Sequence, residues 1–421
     1  MLKRLIIVTL IGIAVLGGLL YVLHIGEEDN FFDLLTKALN GGFAPKRSYS
    51  VEVNVYEPRI GTDSNNNLET LSRGEPKLVD TLRLYFVEYY DLLGSLNDNP
   101  DSAGRRSFAK LYERNSPSRE VDLLILDRKI ATRKQSTVSL GFNSCDVGIR
   151  LVSANFGNSN FVEVKVSECF SVVFDGIVSE VSGYSGVEHM FTFARYNADS
   201  DWLIVSHTSS SAFAQYVNTE LEKLVAADGL TRESAGALAV NVYVAQLRSL
   251  LDGSDGKVYF YPGSDSGDNI VAHFNYNRND ALDYAARYAN PERIRRNADY
   301  RNYPQNGTNF VSQCLHAGGI PSNSVWKAGN AAWTGAEKFF EHISSLPEQG
   351  IAAAVCFERD GAAGDIIQFV NGGGEAVHSV IITGKVGDEY LISGNSEDFS
   401  DFPLLATGFD IIRVIKIYGH N

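Results

Sequence analysis

Asn306-Gly307-Thr308-Asn309-Phe310-Val311-Ser312-Gln313-Cys314-Leu315-His316-Ala317-Gly318-Gly319 is the stretch on which the reading of this chain turns. Phe310, Val311 and Leu315, with Cys314 four residues after Phe310, supply the buried side of a short helix. Asn306 is the expected N-cap, its side chain accepting the free amides of the first turn. Asn-Gly is also a common turn dipeptide, so Gly307 alone marks only a bend before the helix.

Upstream, Asp280 to Tyr288 places Ala281, Leu282, Tyr284, Ala285 and Tyr288 on one helical stripe. A tyrosine-rich loop with Tyr300, Tyr303 and Pro304 then delivers the chain to the key helix. Downstream come Trp326, Trp333-Thr334 and a helix over Ala336 to Ser345 carrying Phe339 and Phe340. Ile366, Ile367 and Phe369 read as a buried strand. Val377-His378-Ser379-Val380 opens another, which turns at Gly387 and returns as Tyr390 to Ser393. A hairpin pivoting between Val386 and Gly387 sets Asn395 opposite His378. Ile411 to Ile417 alternates as a closing strand.

Over roughly residues 272 to 418 these motifs resemble the bacterial putative amidase family, whose helix reads Asp-Cys-Thr-Asn-Phe-Val-Ser-Gln and whose His-Ser-Val strand corresponds to His378-Ser379-Val380. The resemblance implies a papain-like α+β domain, residues 271–421, acting on amide bonds of peptide or cell-wall type. A cysteine at the helix tip would be activated by the partial positive charge there, and the free amides would receive the oxyanion. The matching position here is Gly307, which has no thiol. By the same resemblance His378 is the base and Asn395 orients it. Asn395 is a second departure, since the family has a histidine near that position. Gln305, Thr308, Trp326 and Trp333 are the residues expected at the substrate, although both tryptophans also suit a core. Cys314 lies about 10 Å along the helix axis from Gly307. Thr308 points about 100° away. Neither replaces the nucleophile. The sequence is therefore expected to carry an inactive scaffold, or one that binds a peptide or protein partner without cutting it.

The 421 residues are too many for one small core and predict two globular domains. A net charge of −14 argues against nucleic acid as a partner. Lys3 and Arg4 precede the uncharged run Leu5–Leu23, which is long enough to span a bilayer and has no signal-cleavage pattern. Residues 1–25 are thus expected to be a membrane anchor with a cytoplasmic start, placing the remainder outside the cell. Residues 26–77, including a short helix at Phe31 to Leu39, are expected to be a polar arm.

Residues 78–251 are expected to pair a helix over Leu78 to Leu96 with a curved antiparallel sheet. The predicted strands are Val121–Ile125, Val138–Phe142, Gly148–Val152, Phe161–Phe170, His189–Tyr196 and Trp202–Val205. That order resembles the cone-shaped fold of the nuclear transport factor superfamily. Helices over Phe213–Ala226 and Ser234–Leu251 and a turn-rich linker at 252–270 follow. Cys145, Cys169, Cys314 and Cys356 are compatible with disulfides or with buried thiols. Their spacing provides no zinc site, and no cofactor is expected.

Overall fold

The computed structural model describes residues 51–55, 71, 73–252, 259–260, 275–291, 295–345, 352–356 and 361–418. The run Leu5–Leu23, the segment Phe31 to Leu39 and most of the polar arm lie outside the described residues. Among those described, no helix is long and apolar enough to cross a membrane.

Helix α1 (Pro76–Gly94) starts at a proline, whose fixed φ suits a first turn, and buries Leu78, Leu82, Tyr85, Phe86, Tyr89, Leu92 and Leu93. This is the stripe that the spacing predicts. It lies on the antiparallel strands β2 (Phe142–Asn158), β3 (Phe161–Phe174), β4 (Ile177–Ala194) and β5 (Leu203–Ser209). Tyr90 stacks on Phe170 at 4.6 Å, and Tyr85 meets Phe191 edge-on at 5.0 Å. The α+β class is as expected.

Four local expectations need correction. Val51–Val55, inside the expected polar arm, is strand β1 and pairs in parallel with β2. Val121–Ile125 is not a strand; it belongs to helix α3 (Pro117–Arg133), which follows the short helix α2 (Ala103–Lys110). Val121, Leu124 and Ile125 are buried at helical spacing after a proline, a period that the β-branched residues obscure. After α4 (Ala212–Ala227), the helix expected over Ser234–Leu251 is broken. Gly236, at φ +75°, separates α5 (Arg232–Ala235) from α6 (Ala237–Asp252). Within 252–270, Tyr259–Phe260 forms β6 beside the final strand β12 (Ile411–Tyr418).

The second half places α7 (Arg278–Tyr288), α8 (Gly307–Ala317), α9 (Ala331–Thr334) and α10 (Ala336–Ser345) with a second run of strands. These are β7 (Ala352–Cys356), β8 (Ile366–Val370), β9 (Ala376–Val386), β10 (Glu389–Gly394) and β11 (Phe399–Pro403). Among the described residues the strands join into one sheet ordered β1-β2-β3-β4-β11-β10-β9-β8-β12-β6, with β5 on β4 and β7 on β12.

Among the described residues the strand ladder crosses between the halves at one pair, Ser400 with Gly183, flanked by the Ser185 amide donating to the Glu397 carbonyl at 2.9 Å. A Cβ on Gly183 would lie 2.3 Å from the Phe170 carbonyl oxygen, so the close approach of β4 to β3 at this point requires glycine. The cores also merge. Phe142, Phe170 and Trp202 share one buried apolar cluster with Phe369, Leu391, Phe402, Phe409 and Ile412. A second cluster, around Phe310, Trp326, Trp333 and Phe339, lies on the other face of the second half. Arg128 of α3 pairs with Asp410 just before β12, and both are buried.

Candidate functional site

Helix α8 begins at Gly307, but Asn306 does not cap it with its side chain. Its backbone, at φ −103° and ψ −4°, is not the extended conformation from which a side chain folds back onto the first turn. Instead Asn306 is a cross-link. Its Oδ1 accepts the Tyr303 amide at 3.1 Å and Asn309 Nδ2 at 2.8 Å, and its Nδ2 donates to Asn395 Oδ1 at 2.7 Å. The Asn306 amide donates to Ser396 Oγ at 2.9 Å. The tip of α8 is thereby clamped to the loop after β10.

Strand β9 brings His378 to that tip. A Cβ built on Gly307 would lie 2.5 Å from His378 Cε1, 2.8 Å from His378 Nε2 and 2.7 Å from the Ser379 carbonyl oxygen. The two positions singled out in the sequence therefore meet. No gap is left for a thiol, because the imidazole and a backbone carbonyl already fill the space. His378 is 7% exposed, lies parallel to Phe369 at 6.0 Å, and its Nε2 has no hydrogen-bond partner among the described residues. Burial lowers its pKa to about 4, so the ring is neutral near pH 7.

Asn395 does not face His378. The hairpin turns through Gly387-Asp388 and pairs Glu389 with Val386, Tyr390 with Lys385 and Leu391 with Gly384. A register shift then sets Ile392 against Ile382 and Ser393 against Ile381, where the ladder ends. The turn and the bulge move the partner positions, so Asn395 lies past the strand. It holds Asn306 instead, while its carbonyl oxygen accepts Arg296 Nη2 at 2.9 Å.

The remaining candidates divide. Thr308 is buried with its Oγ1 3.0 Å from Ser379 Oγ, which also accepts Gln368 Nε2 at 3.2 Å. Trp326 and Trp333 do not line a groove: they are 0% and 1% exposed and meet at a tilt, with ring centroids 4.6 Å apart. They serve the helix from behind. Trp333 Nε1 donates to Asn309 Oδ1 at 2.9 Å, and Trp326 Nε1 donates to Ser312 Oγ at 3.1 Å. Gln313 Oε1 accepts the Tyr284 hydroxyl at 2.7 Å. The polar letters of the helix motif are thus internal braces, as buried polar groups must be paired.

Gln305 is exposed at the rim of a cleft of about 240 Å³, whose floor includes His378, Ala376 and Ser396. The opposite wall is α4, with Gln215, Thr219 and Lys223 on one face. Gln305 Nε2 donates to Gln215 Oε1 at 2.9 Å across the mouth. Sequence reasoning missed this wall, since polar residues at i, i+4 and i+8 look like any solvated helix face.

Among the described side chains, no thiol stands at the tip of α8. Cys314 is fully buried, and burial raises its pKa well above the usual thiol value. Cys145 and Cys169 are free, with Cys145 opposite Val172 and Cys169 opposite Gly148 across the β2–β3 ladder. The side chain of Cys356 lies outside the described residues. Among those described, no group of three or more His, Cys, Asp or Glu is arranged to hold a metal ion.

With an imidazole, a helix tip and a tryptophan-braced motif in one place, the comparison with known proteins agrees. Residues 275–416 match the putative amidase domain family. An uncharacterized protein of Bacillus subtilis (strain 168), YhbB, is 31% identical over 137 residues, which cover 30% of this chain and 43% of that relative. The match therefore spans less than half of the relative's length. No solved structure matches the chain.

Proposed function

We propose that this chain is a pseudoenzyme: an amidase-family domain that holds an extended peptide in the cleft beside α4 without cleaving it. The observation that carries this reading is the contact between His378 and the Cβ direction of Gly307. Three further facts support it. The buried imidazole is too weak a base to serve near pH 7. Asn395 is engaged with Asn306 instead of orienting His378. The cleft has polar walls with amides at Gln215, Gln305 and Asn371, suited to a peptide backbone. A papain-like ancestry is supported by the placement of the nucleophile position on a helix tip facing a histidine on an antiparallel strand.

The chain is expected to give no turnover on peptidoglycan fragments or simple peptides while binding some of them in calorimetry. Turnover at Gly307 as it stands would refute the reading. Gly307→Cys is expected to lower stability by about 1–3 kcal/mol through overpacking, because the Ser379 carbonyl must also shift. It should remain inactive as well. Full amidase activity in that variant with unchanged melting temperature would point to a disarmed catalyst instead of a site built around glycine.

The reading also places the domain outside the cell on an anchor at Leu5–Leu23, supported by the length and lack of charge of that run. Protease treatment of intact cells checks this: protection of the C-terminal half would contradict it.

A further inference from the structure

Behind His378 lies a second, smaller chamber of about 40 Å³, between the two halves. It adjoins the cleft along Ala212, His378 and Phe409, which line both. Two cationic side chains from one face of α3, Lys129 and Arg133, reach it from the side opposite His378. Arg133 is 2% exposed, and its Nε and Nη1 have no hydrogen-bond partner among the described residues; the Phe142 and Phe174 rings lie 5.0 and 5.5 Å from its Cζ.

The carboxylates near these cations also have other partners. Glu397, itself part of the chamber lining, accepts the Ala212 amide at the start of α4 through Oε1 and attracts Lys129. Glu168 accepts the Tyr90 and Tyr184 hydroxyls and faces His189 Nε2 at 2.9 Å. Lys129 is half-buried by area, yet desolvation lowers its pKa against the opposing pull of Glu397 and Glu168. Buried guanidinium donors without acceptors are costly, and a planar anion satisfies them best.

We propose that this chamber binds the carboxylate of a peptide lying in the cleft, held by Arg133 and Lys129. The inference rests on the peptide-binding reading and adds what that peptide must carry. Either a free chain end or an acidic side chain offers this group. The volume suits a carboxylate and excludes a large headgroup.

The test is calorimetry of the full chain with a short extended peptide as its free acid and as its C-terminal amide. A second amide pair carries Glu or Gln at its last position. The free acid or the Glu amide is expected to bind about ten- to hundredfold more tightly than its neutral counterpart. Whichever does so identifies the source of the carboxylate. Lys129→Met should erase most of that preference. Arg133→Met should act likewise, with circular dichroism reporting whether loss of its aromatic contacts disturbs the fold. Equal affinity for acid and amide overturns the carboxylate site and leaves the cleft reading standing. Binding of neither peptide overturns both.

Discussion

Arg128→Met is expected to destabilise the chain by about 3–5 kcal/mol, the cost of leaving one member of a buried ion pair without its partner. The side chains of Arg128 and Asp410 are 3% and 11% exposed, so water cannot take over the role of the missing guanidinium. The pair joins α3 of the first half to the start of β12 in the second, inside the shared apolar cluster. Urea unfolding followed by tryptophan emission measures the effect, because Trp202 reports on the first half and Trp326 and Trp333 on the second. Both halves should lose stability together, since their cores are continuous. The double variant Arg128→Met/Asp410→Leu should recover much of the loss, because an apolar pair needs no desolvated partner. A loss below about 1 kcal/mol in the single variant would show that the pair is solvated.

Acid is expected to weaken the fold through His378. Its folded pKa of about 4 lies below the ordinary histidine value of 6.5, so the unfolded chain binds the proton first as pH falls. The contribution of the neutral ring is therefore intact above about pH 6.5 and is lost progressively between 6.5 and 4. At full development the loss is on the order of 3 kcal/mol. Buried carboxylates also titrate in acid: Glu397, Asp365 and Asp398 have raised pKa values, chiefly through desolvation, which opposes the loss. The measurement is thus a difference between two chains. Stability of the original and of His378→Leu is compared from pH 7 to pH 4, and only the original should show the added slope. Parallel curves would mean that the imidazole is solvated in the folded state and that the Gly307 contact is not a sealed one.

The half that matches the putative amidase family was legible in the sequence because its signals are chemical and local. Thr308 to Gln313 and His378-Ser379-Val380 each occupy one element, and the family motif together with the spacing of apolar residues placed α8 and β9. The meeting of Gly307 with His378 followed from the family motif. What could not be read were distances within that meeting: a glycine allows an approach that no pattern of letters encodes. Asn395 was misplaced because hairpin register depends on turn type, and the shift near Thr383 leaves no sequence mark. In the first half, α1 and the alternating strand Phe161–Phe174 were plain, whereas Val121–Ile125 misled because β-branched and leucine-rich runs suit helix and strand alike. The cleft wall from α4 and the cations of α3 were invisible for another reason. Both come from residues more than eighty positions before the histidine they face, and only tertiary packing joins them.

The joining of strands at Gly183 and Ser400 bears on how this molecule can be handled. A polypeptide starting at residue 271 would carry the matched domain but leave Phe402 and Phe409 without the Phe174 and Phe213 rings that pack on them. Half of a shared interior does not make a soluble module. The family match begins at residue 275, whereas the apolar interior that the matched segment shares reaches back to Leu71.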